Sequence, residues 1–149
     1  MKPLIVLMIV FALSCGITAI AFPHIDYLLS GRIAMTAMLL LTAIGHFKFN
    51  DGMVMMMPPF IPAKKFLVMF TGFIEIAAAV AILTPLYQLC GKLLILFFVL
   101  ILPSNIYGAI KHVDLEKANY QGDGLKYLWF RIPLQVLFIA WVWYFCVLN

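Results

Sequence analysis

The stretch AIGHFKFNDGMVMMMPPFIPAKKFLVMFTGFIEIAAA, residues 43–79, contains the features that decide the fold of this chain. It places His46 near the end of one apolar run and Glu75 in the middle of the next. The connection between them is rich in methionine, and its prolines between residues 58 and 62 exclude one continuous regular helix. The pattern predicts two apolar helices that each carry one ionisable side chain.

The composition predicts that lipid surrounds most of the chain. Of 149 residues, 66% are hydrophobic and only 11% are charged, and the mean hydropathy is +1.10. A soluble domain carries about 25% charged residues, so these charges are too few to cover a surface in water. The expected partner is the lipid bilayer, and the formal charge of +4 gives no reason to expect nucleic acid.

Five apolar runs predict an all-α integral membrane bundle in one domain, residues 1–149. A helix of about 20 residues, rising about 1.5 Å per residue, crosses a hydrocarbon core of about 30 Å. The predicted spans cover about residues 3–22, 32–49, 65–84, 92–111 and 127–148.

The first apolar run has an alternative interpretation as a cleaved signal peptide, because a single Lys2 precedes it. The run is longer than the apolar region of a typical signal peptide. We therefore expect an uncleaved first helix.

The basic residues predict how the helices are oriented. If five spans alternate, seven lysines fall on the side that holds the N-terminus, the 48–65 connection and the 111–126 loop, against Arg32 and Lys92 on the other side. Because cytoplasmic loops are enriched in basic residues, the sequence predicts a cytoplasmic N-terminus and a periplasmic C-terminus in a bacterial inner membrane. The seven lysines are Lys2, Lys48, Lys64, Lys65, Lys111, Lys117 and Lys126.

Five polar side chains inside the predicted spans are candidates for a ligand-binding site. All five lie between the middle of the bilayer and the lysine-rich side, and Glu75, ten residues after Lys65, is about 15 Å deep. Because a charge at a helix centre costs about 2.5–3.5 kcal/mol, we expect Glu75 to face protein and to pair with His46 or Arg131. The candidates are His46, Glu75, Asn105, Arg131 and Gln135.

Two interpretations of these polar residues stay open. They could bind a ligand or carry a proton between the helices, as ionisable residues inside a membrane often do. Alternatively, a buried pair that includes Glu75 could only fix the helix register. Pro103 and Pro133 each leave a helical carbonyl, at Val99 and Trp129, without its usual partner, and such carbonyls can bind water or a ligand.

The sequence gives little indication of a metal site or a disulfide. The methionines of residues 53–57 could bind Cu(I) through their thioethers, or they could form a short apolar segment at the membrane interface. Cys90 and Cys146 both fall near the outer face, where they could form a disulfide or remain two buried thiols. We expect no metal site.

Several short motifs together resemble the signature of DoxX-like membrane proteins. The resemblance covers about residues 32–144, and the run WFRIPLQ at residues 129–135 is similar to the form found in Bacteroidetes-type members. The first helix is then an addition to a four-helix core. The other motifs are Gly45-His46-Phe47, Met57-Pro58-Pro59 with Ile61-Pro62, Gly72-Phe73-Ile74-Glu75 and Leu102-Pro103-Ser104-Asn105.

The resemblance implies a small bundle of the bacterial inner membrane that works with a redox system. The family takes its name from a subunit of a thiosulfate:quinone oxidoreductase, so the implied ligand is a quinone and the implied partner is a redox protein. The motif residues of the family map onto Gly45, His46, Pro62, Gly72, Glu75, Pro103 and Asn105.

Two hypotheses on function follow from the residues and the resemblance. In the first, the bundle binds a quinone-like or other lipophilic molecule, His46 and Arg131 bind its oxygens, and Glu75 handles a proton while a partner handles electrons. In the second, the protein is a non-enzymatic assembly subunit and the polar cluster only holds its helices together. No inverted repeat between the halves of the chain supports a transporter.

Overall fold

The computed structural model describes residues 2–21 and 25–149, and in this part of the chain the fold is all-α. The only strand-like feature there is an isolated bridge between Asp114 and Asn119. The helices are α1 (Lys2–Ala21), α2 (Tyr27–Lys48), α3 (Asn50–Met55), α4 (Lys64–Ala81), α5 (Tyr87–Ile110) and α6 (Leu125–Val142), and a π-helix (Trp143–Val147) continues α6. The predicted helical class is thus confirmed.

Four helices, α1, α2, α5 and α6 with its π-helical end, are long and apolar enough to cross a membrane. Large hydrophobic side chains are exposed along them, for example Ile17, Leu100 and Val136. Such long apolar surfaces suit contact with the lipid bilayer. Helix α4 carries three charged residues, two lysines at its start and Glu75 near its middle, and is not among these four helices, so a fifth span remains a prediction.

Two helices begin earlier than the sequence predicted. Helix α2 begins at Tyr27 rather than near residue 32, because the carboxylate of Asp26 accepts a hydrogen bond from the Leu29 N–H at 2.8 Å. Helix α5 begins at Tyr87 rather than near residue 92. The break predicted at Pro23 and His24 lies outside the described residues.

Helix α2 is the centre of the bundle, because it packs along both α1 and α4. At the end of the bundle where the chain terminates, the Phe145 ring lies against Gly31, where no side chain larger than hydrogen would fit. The Trp141 indole N–H donates to the Gly31 carbonyl at 3.0 Å, and Arg32 Nε donates to the Phe145 carbonyl at 3.0 Å. These contacts fix the π-helical end of α6 against α2.

The opposite end, which we call the basic end, holds the start of α1, helix α3 and the loop of residues 111–124. Here Gly52 of α3 packs directly on the backbone of Leu115, and the Met56 side chain packs on Gly108 of α5. Met56 is buried, so this part of the methionine-rich segment contacts protein. The packing fixes the connection between α2 and α4, and with it the place where their polar side chains meet.

Candidate functional site

His46 and Glu75 meet inside the interface between α2 and α4. His46 Nε2 lies 3.4 Å from Glu75 Oε1. The Glu75 residue is only 3% exposed, and the His46 side chain is 14% exposed. Glu75 thus takes His46, one of its two predicted partners, and the two side chains form what we call the His–Glu pair.

The close approach of α2 and α4 depends on Gly72. A Cβ atom at this position would lie 2.9 Å from His46 Cβ and 3.3 Å from the Phe47 ring. Residue 72 lies three residues before Glu75 and therefore on the same face of α4. The glycine lets the backbone of α4 pass beside His46, so the imidazole can reach the carboxyl group.

The surroundings of the imidazole determine which nitrogen carries its proton. His46 Nδ1 lies 3.0 Å from the Val68 carbonyl oxygen and 3.0 Å from Thr71 Oγ1. Thr71 Oγ1 itself donates to the Val68 carbonyl at 2.8 Å. Because a carbonyl oxygen can only accept, we assign the proton to Nδ1. In the neutral imidazole Nε2 is then a bare acceptor that faces Glu75.

Two acceptors cannot face each other stably without a proton between them. Either Glu75 is protonated and donates from Oε1 to Nε2, or the imidazole is protonated and Nε2 donates to the carboxylate. In both states the second carboxyl oxygen, Oε2, is an acceptor. It is buried and has no hydrogen-bond partner, and it is the one such side-chain atom in the described residues. The His–Glu pair therefore holds one proton and offers one free acceptor.

Asn105 and Gln135 form a separate pair between α5 and α6, which we call the amide pair. Asn105 Nδ2 donates to Gln135 Oε1 at 3.2 Å, and Gln135 Nε2 donates to the carbonyl of Phe98. Both residues are buried. The Phe98 carbonyl lies one residue before Val99, whose carbonyl Pro103 was predicted to leave free. The amide pair thus anchors α6 to α5 near the proline.

Arg131 makes no hydrogen bond or ion pair with either pair in the described part of the chain. Its Nη1 donates to the Tyr127 hydroxyl one turn earlier on α6, and its guanidinium lies 5.4 Å from the centre of the Tyr127 ring. In the described part of the chain no hydrogen bond joins the amide pair to the His–Glu pair. The five predicted site residues thus lie in two pairs and one separate arginine rather than in a single network.

Several residues of the site went unnoticed in the sequence. Thr71 was not among the candidates, although its spacing of four from Glu75 places its hydroxyl on the same face of α4. Tyr127 has the same spacing from Arg131, and this spacing was a usable signal for their contact. The Val68 and Phe98 carbonyls gave no signal, because every residue has a carbonyl.

The structure also shows where the cysteines and the possible metal ligands lie. Cys15, Cys90 and Cys146 are free thiols, and the last two are buried. Within residues 2–21 and 25–149, no three side chains of His, Cys, Asp or Glu come together as metal ligands would. Among the polar groups of these residues, the His–Glu pair is therefore the best candidate for binding a ligand or transferring a proton.

The fold and the site define a helical membrane protein with a buried proton-holding pair between two of its helices. A family model described as "Domain of unknown function (DUF8561)" matches residues 35–146, which includes both polar pairs. The chain belongs to this family. No curated protein and no solved structure matches the chain. The match is not to a DoxX model, so that resemblance stays a prediction.

Proposed function

We propose that this chain is a multi-pass subunit of the bacterial inner membrane, related to DoxX-like proteins, that binds a lipophilic molecule at the His–Glu pair. In this proposal α4 is a fifth span, because it packs along α2 over much of its length. Seven lysines at the basic end, against two basic residues at the other, favour a cytoplasmic basic end. Alternation then places the C-terminus in the periplasm.

The chemical class of the ligand follows from the free oxygen of Glu75. A buried acceptor without a partner costs about 1–3 kcal/mol, and Oε2 is such an atom. Only a donor can complete it, so the bound group carries an O–H or an N–H. Among quinone-like molecules this favours the reduced quinol, whose hydroxyl donates, over the quinone, whose carbonyls only accept.

The two side chains have distinct roles in this proposal. Glu75 Oε2 accepts the hydrogen bond of the ligand hydroxyl and is the atom that would receive its proton. His46 holds the proton on the other side of the carboxyl group, and the Val68 carbonyl and Thr71 fix the imidazole in this orientation. Oxidation of a quinol to the quinone releases two protons and two electrons. Glu75 would take one proton, the second hydroxyl of the quinol would release the other to water, and a redox protein partner would take both electrons.

The test is a titration of the purified full chain with decyl-ubiquinol and, separately, with decyl-ubiquinone, followed by tryptophan fluorescence. We expect saturable binding with a preference for the quinol. Glu75→Leu removes the acceptor, and we expect it to weaken quinol binding about tenfold, the value of one good hydrogen bond.

Thr36→Val is the matched control for Glu75→Leu. Thr36 Oγ1 donates to the Ala79 carbonyl at 3.0 Å across the same α2–α4 interface, so the variant removes a polar contact without touching the His–Glu pair. It should bind quinol as wild type does. The proposal is wrong if wild type shows no saturable quinol binding, or if Glu75→Leu binds as tightly as Thr36→Val.

A second candidate function is a non-enzymatic assembly subunit in which the pair only locks α2 to α4. The tight packing of His46 on Gly72 favours it, as does the engagement of both imidazole nitrogens. Under this function Glu75→Leu lowers the melting temperature in detergent, no quinol binds, and a membrane partner copurifies with wild type. The quinol titration separates the two functions.

A further inference from the structure

The His–Glu pair has only one atom at which a further proton can be placed. His46 Nδ1 lies 3.0 Å from the Val68 carbonyl oxygen, and Nε2 lies 3.4 Å from Glu75 Oε1, whereas Glu75 Oε2 is buried and has no partner. When the pair takes up a second proton, both imidazole nitrogens carry one, and Oε1 must accept from Nε2. The remaining proton is then on Oε2. This oxygen therefore changes from an acceptor into a donor.

The surroundings of the pair can accommodate this second state. Two acceptors, the Val68 carbonyl and Thr71 Oγ1, each lie 3.0 Å from His46 Nδ1, so the N–H of an imidazolium meets oxygen there. Because the carboxyl group is neutral in this state, the charge of the pair is that of the imidazolium alone. Oε2–H is the donor that remains without a partner inside the chain.

No other charged side chain on the packed helices makes a hydrogen bond or an ion pair with His46 or Glu75 in the described residues. Thiols and phenols stay neutral between neutral and acid pH, so over this range the pair itself supplies the change of charge at the site. On α1, α2 and α3 the charged side chains are Lys2, Arg32, Lys48 and Asp51, and on α4, α5 and α6 they are Lys64, Lys65, Lys92, Lys126 and Arg131.

The state with two protons is also the one that the proposed ligand chemistry produces. When the hydroxyl of a bound quinol gives its proton to Glu75 Oε2, the pair gains its second proton and the ligand oxygen loses its own. Oε2–H can now donate to that oxygen, so the hydrogen bond persists with its direction reversed.

We propose that the number of protons on the His–Glu pair determines which form of the ligand it binds, an inference that rests on the proposed function. With one proton on the pair, Oε2 accepts and selects the hydroxyl of a quinol. With two protons, Oε2 donates and admits the carbonyl of a quinone. A hydroxyl can both donate and accept, so the quinol binds in either state, whereas the quinone, which only accepts, requires the second proton. Loss of that proton then releases the quinone.

The experiment repeats the titrations of the full chain with decyl-ubiquinol and decyl-ubiquinone between about pH 7.5 and about pH 4, a range that covers the ordinary titration of histidine and glutamate. We expect the affinity for the quinone to rise about tenfold in acid, the value of one good hydrogen bond, while the affinity for the quinol changes much less. Thr36→Val should show the same rise. Glu75→Leu, which offers neither a donor nor an acceptor, should show none.

Infrared spectroscopy tests the second proton without any ligand. The acid spectrum of wild type should contain the C=O stretch of a protonated carboxyl group that Glu75→Gln lacks, and its absence would overturn the proposal. A constant affinity for the quinone across the pH range, or an equal rise in Glu75→Leu, would overturn it as well. In either case quinol binding at neutral pH would leave the proposed function standing, whereas wild type that binds no quinol at neutral pH would overturn both.

Discussion

The amide pair and the His–Glu pair are both buried between two helices, yet within the described residues only the His–Glu pair leaves a fully buried side-chain atom without a hydrogen-bond partner. In the amide pair, Asn105 donates to Gln135 and Gln135 donates to the Phe98 carbonyl, so the chain of hydrogen bonds ends on the backbone. In the His–Glu pair, the imidazole is hydrogen-bonded through Nδ1 and lies 3.4 Å from Glu75 Oε1 through Nε2, but the other oxygen of Glu75 has no partner.

The difference arises from the chemistry of the two side chains. A primary amide carries a donor and an acceptor, so Gln135 can accept from one neighbour and donate to another. A carboxyl group that shares one proton with a histidine has an acceptor left over. A network that closes on itself holds helices together, whereas one with a free acceptor needs something from outside the chain to complete it. The comparison indicates that the amide pair holds helices together and that the His–Glu pair binds a ligand.

The largest effect should come from Gly72→Leu, which forces α4 away from His46. Because even a Cβ would lie 2.9 Å from His46 Cβ, we expect a loss of about 3 kcal/mol in the free energy of unfolding, the upper end of overpacking costs. The measurement is an SDS unfolding curve in mixed micelles. Quinol binding should be lost as well, because the imidazole can no longer reach Glu75.

Gly16→Leu is the control for Gly72→Leu, since a Cβ at Gly16 would meet no atom within 4 Å. It should change the free energy of unfolding by less than about 0.5 kcal/mol. Equal effects of the two variants would mean that α4 does not approach α2 closely enough to need a glycine.

Gln135→Glu should have the next largest effect, because the buried carboxyl group must either place an ionised oxygen against the Phe98 carbonyl oxygen or take up a proton to replace the amide donor. Either outcome costs about 2 kcal/mol at neutral pH, which unfolding in mixed micelles would detect. Gln121→Glu makes the same chemical change in the exposed loop and should be nearly neutral. If both variants unfold alike, the amide pair contributes nothing to the fold.

The reciprocal change, Glu75→Gln, should cost less than about 1 kcal/mol. The new amide can donate to the bare Nε2 of His46 and leave its oxygen in the place of Oε2, so it reproduces the hydrogen bonds of the protonated acid. A loss as large as that of Gln135→Glu would show that the second oxygen of Glu75 is not free, and it would remove the contrast between the two pairs.

The helical class and the His46–Glu75 contact could be predicted because both follow from free-energy penalties that apply to any chain. Long apolar runs have no stable place in water, and a carboxyl group inside lipid must find a polar partner. The five-span count and the role of the site stay predictions. From the sequence one could therefore predict a helical fold and a polar partner for Glu75.

The relative depth of the two residues could not be predicted, because it was counted from the nearest lysine. His46 comes only two residues before Lys48, so the count places it close to the lysine-rich side, whereas Glu75 is about 15 Å deep, yet His46 Nε2 lies 3.4 Å from Glu75 Oε1. Lys48 and Lys65 therefore do not lie at the same depth in the bilayer. Helix α3 and the prolines after it carry the chain beyond the end of α2 before α4 begins, and long lysine side chains tolerate different depths.

Arg131 and the amide pair show the same limit at a finer scale. Arg131 and Gln135 share a face of α6 by spacing, which favoured one common site with Glu75. The rotation of α6 instead aims Gln135 at the Phe98 carbonyl and leaves Arg131 with Tyr127. Helix rotation depends on the packing of every side chain along the interface, so a short pattern of polar residues does not determine it.

The smallest effect should come from the exposed pair of Lys2 and Glu116, whose Nζ and Oε1 atoms lie 2.8 Å apart. The hydrogen bond and charge of Lys2 lower the pKa of the Glu116 carboxyl group. A lowered pKa in the folded state means that the contribution of Glu116 is complete above its ordinary titration range and disappears as the pH falls through the lowered value. Because water and salt screen an exposed pair, Lys2→Gln should reduce the melting temperature only slightly at neutral pH and low salt, and not at all in high salt or in acid.

Lys117→Gln, another lysine of the basic end, serves as the control. A difference that survives both high salt and acid would show that Lys2 acts through packing rather than charge, and the basic end would then hold a polar contact as firmly as the buried pairs do.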